Sequence, residues 1–232
     1  MSIEKKTGIE YTLVCSPRKT IGIKITPDCK VEVRASRYVP VAEIERAIVK
    51  NEDFIRNALA RQISQSRERE LFEVTFGSKL LYLGEEYELK KDTEGTVAFK
   101  EDGFYVPEAM PKDKIKPYIV LLYKKLAERY IEVYLPDIAK RMDVSPKAVK
   151  INSARTRWGS CSGKNSLNFS WRLIMADEET VEYVIIHELS HIKEHNHSDR
   201  FWDTVEKYCP NYREAEKKLK LLSEKLSREN WE

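Results

Sequence analysis

The chain is short of the features that define several protein classes. It has only 8 glycines and 9 prolines among 232 residues, and no internal repeat or low-complexity segment. With 41% hydrophobic and 34% charged residues, it is too apolar for a disordered chain and too charged for a membrane protein. No apolar run approaches the ~20 residues needed to span a bilayer. The opening residues M-S-I-E-K-K-T-G-I-E lack the apolar core of a secretory signal, so a cytoplasmic location is expected. The four cysteines, Cys15, Cys29, Cys161 and Cys209, form no C-x-x-C pair. That pattern excludes a cysteine zinc site and a disulfide framework and reads as free thiols. No glycine-rich phosphate loop is present.

Acid is missing from one window. Residues 144–176 contain Lys147, Lys150, Arg155, Arg157, Lys164 and Arg172 and no Asp or Glu. The net charge is only +3, and there is no basic tail. Both argue against strong nucleic-acid binding. Histidine is scarce and confined to one stretch. The chain has 4, and all lie in H-E-L-S-H-I-K-E-H-N-H, residues 187–197.

The pattern of the chain predicts an α+β protein. Strands are expected over 9–15, 20–26 and 30–35, which are β-branched and separated by turn residues. Residues 39–63 carry apolar positions at helical spacing and predict one or two helices. Two hairpins are expected, around Gly84-Glu85 and Asp102-Gly103. The prolines and charges of 107–114 suggest a linker, dividing a β-rich N-terminal region (1–110) from a C-terminal domain (111–232). In that domain a long helix is expected over 115–142, with an interruption near Pro136. Short strands are expected at 149–153 and 167–170, with a loop between them. Asp177 suits the N-cap of the next helix, and Glu178 and Glu179 suit its positive end. Pro210 separates two last helices, near 199–208 and 212–228.

His187 and His191 stand four apart, so on a helix they share a face and can hold one metal ion. Zinc is the expected metal. Glu188 is placed to act as general base on a water that zinc makes acidic. The apolar run Val184-Ile185-Ile186 would bury the helix and hold the ligands rigid. The third ligand is His197, if a turn at His195-Asn196 returns the chain to the metal, with His195 as the alternative. Three histidines leave one zinc position open, as catalysis requires.

W-G-S-C-S (158–162), L-N (167–168), Y-V-I-I-H-E-L-S-H (183–191) and N-H-S-x-x-F-W (196–202) together resemble the YgjP-like family of metal-dependent hydrolases. That family is described as a metallopeptidase domain similar to SprT-type and gluzincin-like zinc domains. The resemblance implies a zincin-like helical domain with a small antiparallel sheet and the H-E-x-x-H helix. It also implies zinc ligands His187, His191 and His197 and the catalytic base Glu188. Glu194 stands where the metzincin pattern has glycine, and His195 stands where a proline would precede Asn196.

Arg155 and Arg157 are candidates for binding substrate oxygens. Trp158 and Asn168 read as structural, and Cys161 as a small buried thiol. Phe201 and Trp202 read as packing against the metal helix, and Tyr183 could face the site. A peptide is the leading substrate, aligned along an edge strand near 166–170. The cationic window makes a nucleoside triphosphate, cleaved as by a pyrophosphohydrolase, the alternative. A nucleic-acid-associated SprT-like protein is a further one.

Overall fold

The structure, a computed structural model, describes residues 2–3 and 8–232, with side chains from residue 8 onward. Met1 and residues 4–7, part of the stretch read for a secretory signal, lie outside the described residues. The chain forms two compact units: residues 1–72 with 227–230, and residues 73–226 with 231–232.

In the first unit four strands form one sheet in the order β1-β2-β4-β3. They are β1 (Ser2–Ile3), β2 (Tyr11–Cys15), β3 (Gly22–Ile25) and β4 (Val31–Ala35). β3 pairs antiparallel with β4, but β2 pairs with β4 in parallel. The period-two pattern of β4 turns Val31, Val33 and Ala35 into the core. Two helices follow, α1 (Val41–Lys50) and α2 (Glu52–Leu71), and bury Ile44, Ile48 and Ile55 in the same cluster.

The second unit opens with β5 (Lys79–Tyr82), β6 (Glu85–Asp92), β7 (Ala98–Lys100) and β8 (Gly103–Pro107), in the order β5-β6-β8-β7. Leu83 and Gly84 both have positive φ, 48° and 85°, the backbone of a tight two-residue hairpin. A side chain at Gly84 would also strike Asp177, whose Cβ lies 2.9 Å from that point. Beside it the Leu83 N–H donates to the Ile174 carbonyl at 2.8 Å. The hairpin thereby fixes the segment that leads into the histidine helix.

α3 runs unbroken from Lys112 to Arg141, through both Pro117 and Pro136. The interruption expected near Pro136 does not occur. A helical proline costs about 3 kcal/mol or more, but Ile131, Leu135, Ile138 and Ala139 stay buried on either side of it. Burial of four such side chains outweighs the lost bond, at roughly 1.5–3 kcal/mol for each large one. The composition change at 107–114 falls inside the second unit, because α3 packs back on the sheet. The Tyr123 hydroxyl donates to the Leu81 carbonyl at 2.7 Å, and its ring lies 5.2 Å from that of Phe104.

A third sheet has β9 (Ala148–Asn152), β10 (Gly159–Cys161) and β11 (Ser166–Ser170) in the order β10-β11-β9. It is mixed rather than antiparallel. β10 and β11 form a hairpin, whereas β9 pairs with β11 in parallel after the crossing of 153–158. β11 is therefore the central strand, not the edge expected near 166–170, and the edges are β10 and β9. A buried 3-10 turn, Trp171–Met175, then leads to α4 (Glu178–Ser190), α5 (Asp199–Tyr208) and α6 (Tyr212–Leu226). The fold is α+β. Among the described residues no helix is long and apolar enough to cross a membrane.

Candidate metal centre

α4 starts where the sequence placed it. Asp177 is its N-cap and accepts from the Thr180 N–H at 3.1 Å, while Glu178 and Glu179 occupy the first turn. Val184, Ile185 and Ile186 are buried, and this anchors the last turn that carries His187 and Glu188. His191 is the C-cap residue. The chain then turns through 192–198, where the Asn196 side-chain oxygen accepts from the Ser198 N–H at 3.2 Å. That turn, supplied by an Asx-type contact, brings His197 back over the helix.

His187, His191 and His197 present ring nitrogens that all lie within 4.8 Å of one another, and the three could hold a metal ion. Nε2 of His197 faces Nε2 of His187 at 3.2 Å. The far side of two rings is engaged. His191 Nδ1 lies 3.1 Å from the Glu194 carbonyl oxygen, to which it donates, and His187 Nδ1 lies 3.4 Å from the Tyr183 hydroxyl. Tyr183 in turn donates to Glu216 of α6 at 3.3 Å. Such outer partners fix the tautomer that leaves Nε2 free for a metal. His195 does not join the cluster.

Burial keeps the ring nitrogens available. It pushes His187 down to about 4, helped by the neighbouring His191 and His197. His191 is also lowered, chiefly by burial. Phe201, fully buried, touches all three imidazoles, with ring centres 4.9, 4.5 and 4.7 Å away. Trp202 stacks on His197 at 5.7 Å and on Tyr212 at 5.2 Å. Both aromatics pack where the sequence put them, against the histidine helix.

Glu188 is 5% exposed, and its Oε2 has no hydrogen-bond partner in the protein. Burial raises its carboxyl to about 7, and the charge of Arg157 opposes that rise. Arg157 is exposed, and among the described residues it makes no ion pair. Arg155 on the same loop is engaged by Glu232 at 2.6 Å. Of the two arginines read together in the sequence, Arg155 is thus ion-paired and Arg157 is not, among the described residues. Cys161, at the end of β10, is partly buried, and its thiol is raised first by burial and then by Glu188.

Three features of this region escaped the sequence reading. β10 lies against α4 inside a segment read as loop. Gly159, within that expected loop, is a strand residue against Glu188. Glu216 completes the chain of contacts behind His187. Only Gly159 carried a usable signal, since glycine within a strand marks a close approach.

The donor set fits zinc. Three imidazoles converge, two have their other nitrogen engaged, and a buried carboxylate with an unpartnered oxygen stands beside them. No curated protein matches the chain. Among solved structures it resembles the metallopeptidase zymogen of Pyrococcus abyssi abylysin, at 27% identity and a TM-score of 0.37, over 43% of this chain and 98% of that one. It also resembles the metallopeptidase zymogen of Methanocaldococcus jannaschii jannalysin, at 26% identity and a TM-score of 0.36, over 39% of this chain and 94% of that one. The family model described as YgjP-like, metallopeptidase domain, matches residues 19–221, and the chain belongs to that family.

Proposed function

We propose that the chain is a zinc metallopeptidase in which His187, His191 and His197 hold the metal and Glu188 is the catalytic base. The observation that carries this reading is the convergence of three ring nitrogens within 4.8 Å beside a buried carboxylate. Zinc held by these three histidines would supply Lewis-acid chemistry and would make the attacking water more acidic.

The protein's own groups do the rest. Glu188 takes a proton from the attacking water and hands it to the leaving amine. Burial raises its carboxyl, which favours holding the proton between the two transfers. His187 and His191 are held in one tautomer by Tyr183 and the Glu194 carbonyl. β10 is an edge strand that packs against α4, so its free backbone groups can align an extended peptide beside Glu188. Arg157 stands free to meet a carboxylate on that peptide. The phosphate alternative is weakened, because Arg155 is taken up by Glu232.

The test is cleavage of denatured proteins and a peptide library by zinc-loaded protein, read by mass spectrometry. Glu188→Gln, purified identically, is the blank. New termini that need Glu188 are expected. Phosphate or pyrophosphate release from nucleoside triphosphates, with no peptide cleaved, would overturn the peptidase reading.

A further inference from the structure

Gly159 occupies the first position of β10, opposite Phe169 of β11. Its backbone does not require glycine. The glycines with positive φ are Gly8, Gly77, Gly84, Gly95 and Gly103, and Gly159 is not one of them. A glycine in an ordinary strand conformation weakens the strand, so the reason for it lies in space rather than in torsion.

That space belongs to Glu188. A Cβ added at Gly159 would lie 2.6 Å from Glu188 Cγ, 2.6 Å from its Oε1 and 2.8 Å from its Cδ. The three nearest atoms are all from this one side chain. Carbon contacts are comfortable only at about 3.5–4.0 Å, so something must move by about 1 Å. The backbone of β10 is held by its pairing to β11. The Glu188 carboxylate is the end of a flexible side chain, and its Oε2 has no protein partner to hold it. Glu188 is therefore the group that yields.

We propose that Gly159 is a positioning residue: the side chain it lacks is the seat in which the Glu188 carboxylate lies beside the three histidines. This rests on the reading of Glu188 as the base. The seat lets the strand approach the carboxylate closely enough to fix it, yet leaves the peptide N–H and C=O of β10 in place. Filling the seat should cost turnover rather than fold. A misplacement of about 1 Å in a catalytic group is worth on the order of 10²-fold in rate.

The experiment compares wild type, Gly159→Ala, Glu188→Gln and the double variant, all zinc-loaded. Gly159→Ala is expected to keep its zinc content, lose about 10²-fold in kcat and leave KM little changed. In the Glu188→Gln background the same substitution should cost the residual rate far less, since the base is already gone. Wild-type kcat in Gly159→Ala, or losses that multiply in the double variant, would overturn the proposal. A crystal structure of Gly159→Ala provides an arm independent of activity. The Glu188 carboxylate should be displaced from β10 by about 1 Å, and an unmoved carboxylate would sink the idea. If Gly159→Ala fails to fold or to hold zinc, Gly159→Ala/Glu188→Ala decides. Recovery upholds the seat, because truncating Glu188 vacates it, and continued failure overturns it. Should wild type cleave no peptide, the peptidase reading falls, while the crystal structure still judges the seat.

Discussion

Replacing Glu188 with Gln in metal-free protein should make the second unit more stable relative to wild type as pH rises. The folded carboxyl is moved from 4.5 up to about 7, chiefly by burial. Below pH 4.5 it is protonated in both folded and unfolded chains and contributes nothing that depends on pH. Between 4.5 and 7 the unfolded chain ionises while the folded one still holds its proton, so wild type loses stability as pH rises. Above 7 the loss levels off at about 3 kcal/mol, from ~1.4 kcal/mol for each pH unit between the two values. Glutamine has nearly the same shape and does not titrate. Its buried amide carries its own cost of about 1–3 kcal/mol for an unpartnered group, but that cost is constant with pH. The quantity to measure is therefore the change in the stability difference between pH 4.5 and pH 8. His187, lowered to about 4, loses its contribution as pH falls from 6.5, but it is present in both proteins and cancels. All four tryptophans, Trp158, Trp171, Trp202 and Trp231, belong to the second unit, so urea unfolding followed by their fluorescence reports on that unit. The difference should move by about 3 kcal/mol in favour of glutamine. Restored zinc, a dication beside the carboxylate, should shrink that movement. Parallel curves for the two metal-free proteins would refute the claim that the carboxyl is desolvated.

Three further outcomes are expected. His191→Ala should lose zinc while keeping most of its fold, since its ring is only half-buried, and an unchanged metal content by mass spectrometry would remove it from the ligand set. Tyr183→Phe deletes the hydroxyl 3.4 Å from His187 Nδ1. It should weaken zinc affinity by about 10-fold in a chelator competition, as loss of an outer partner commonly does, and an unaltered affinity would show that the contact does not orient the ring. Asp177→Ala removes the cap of α4 and should destabilise the protein by about 1 kcal/mol; an unchanged urea midpoint would mean that the Thr180 N–H finds another acceptor.

The elements written in strong local patterns were legible. The amphipathic helices, the two hairpins and the capped start of α4 stand within a few residues of where their periodicity and turn chemistry put them. What could not be read was anything set by partners distant in the chain. β2 and β4 are parallel neighbours, a pairing that no hairpin signal announces. α3 survives Pro136 because a buried face holds both halves of the helix, and that face is packed by residues far away in sequence. The linker-like composition at 107–114 marks only a turn between β8 and α3, because Tyr123 and Phe104 close the gap across it.

The site divides along the same line. Three of its features were local: two histidines four apart, a glutamate between them, and an apolar run before them. The return of His197 needed one short turn, and Asn196 supplies it. The covering strand was invisible, because three residues of β10 are too few to display a period and Gly-Ser-Cys has no β-branched member. Its place follows from β11, which pairs with it, and from Glu188, which leaves room for nothing larger than hydrogen on Gly159. A glycine chosen for turning should show positive φ or stand between elements, and Gly159 does neither. Its meaning was fixed by a side chain 29 positions later, which is why the sequence offered W-G-S-C as a loop and the fold makes it a wall of the site.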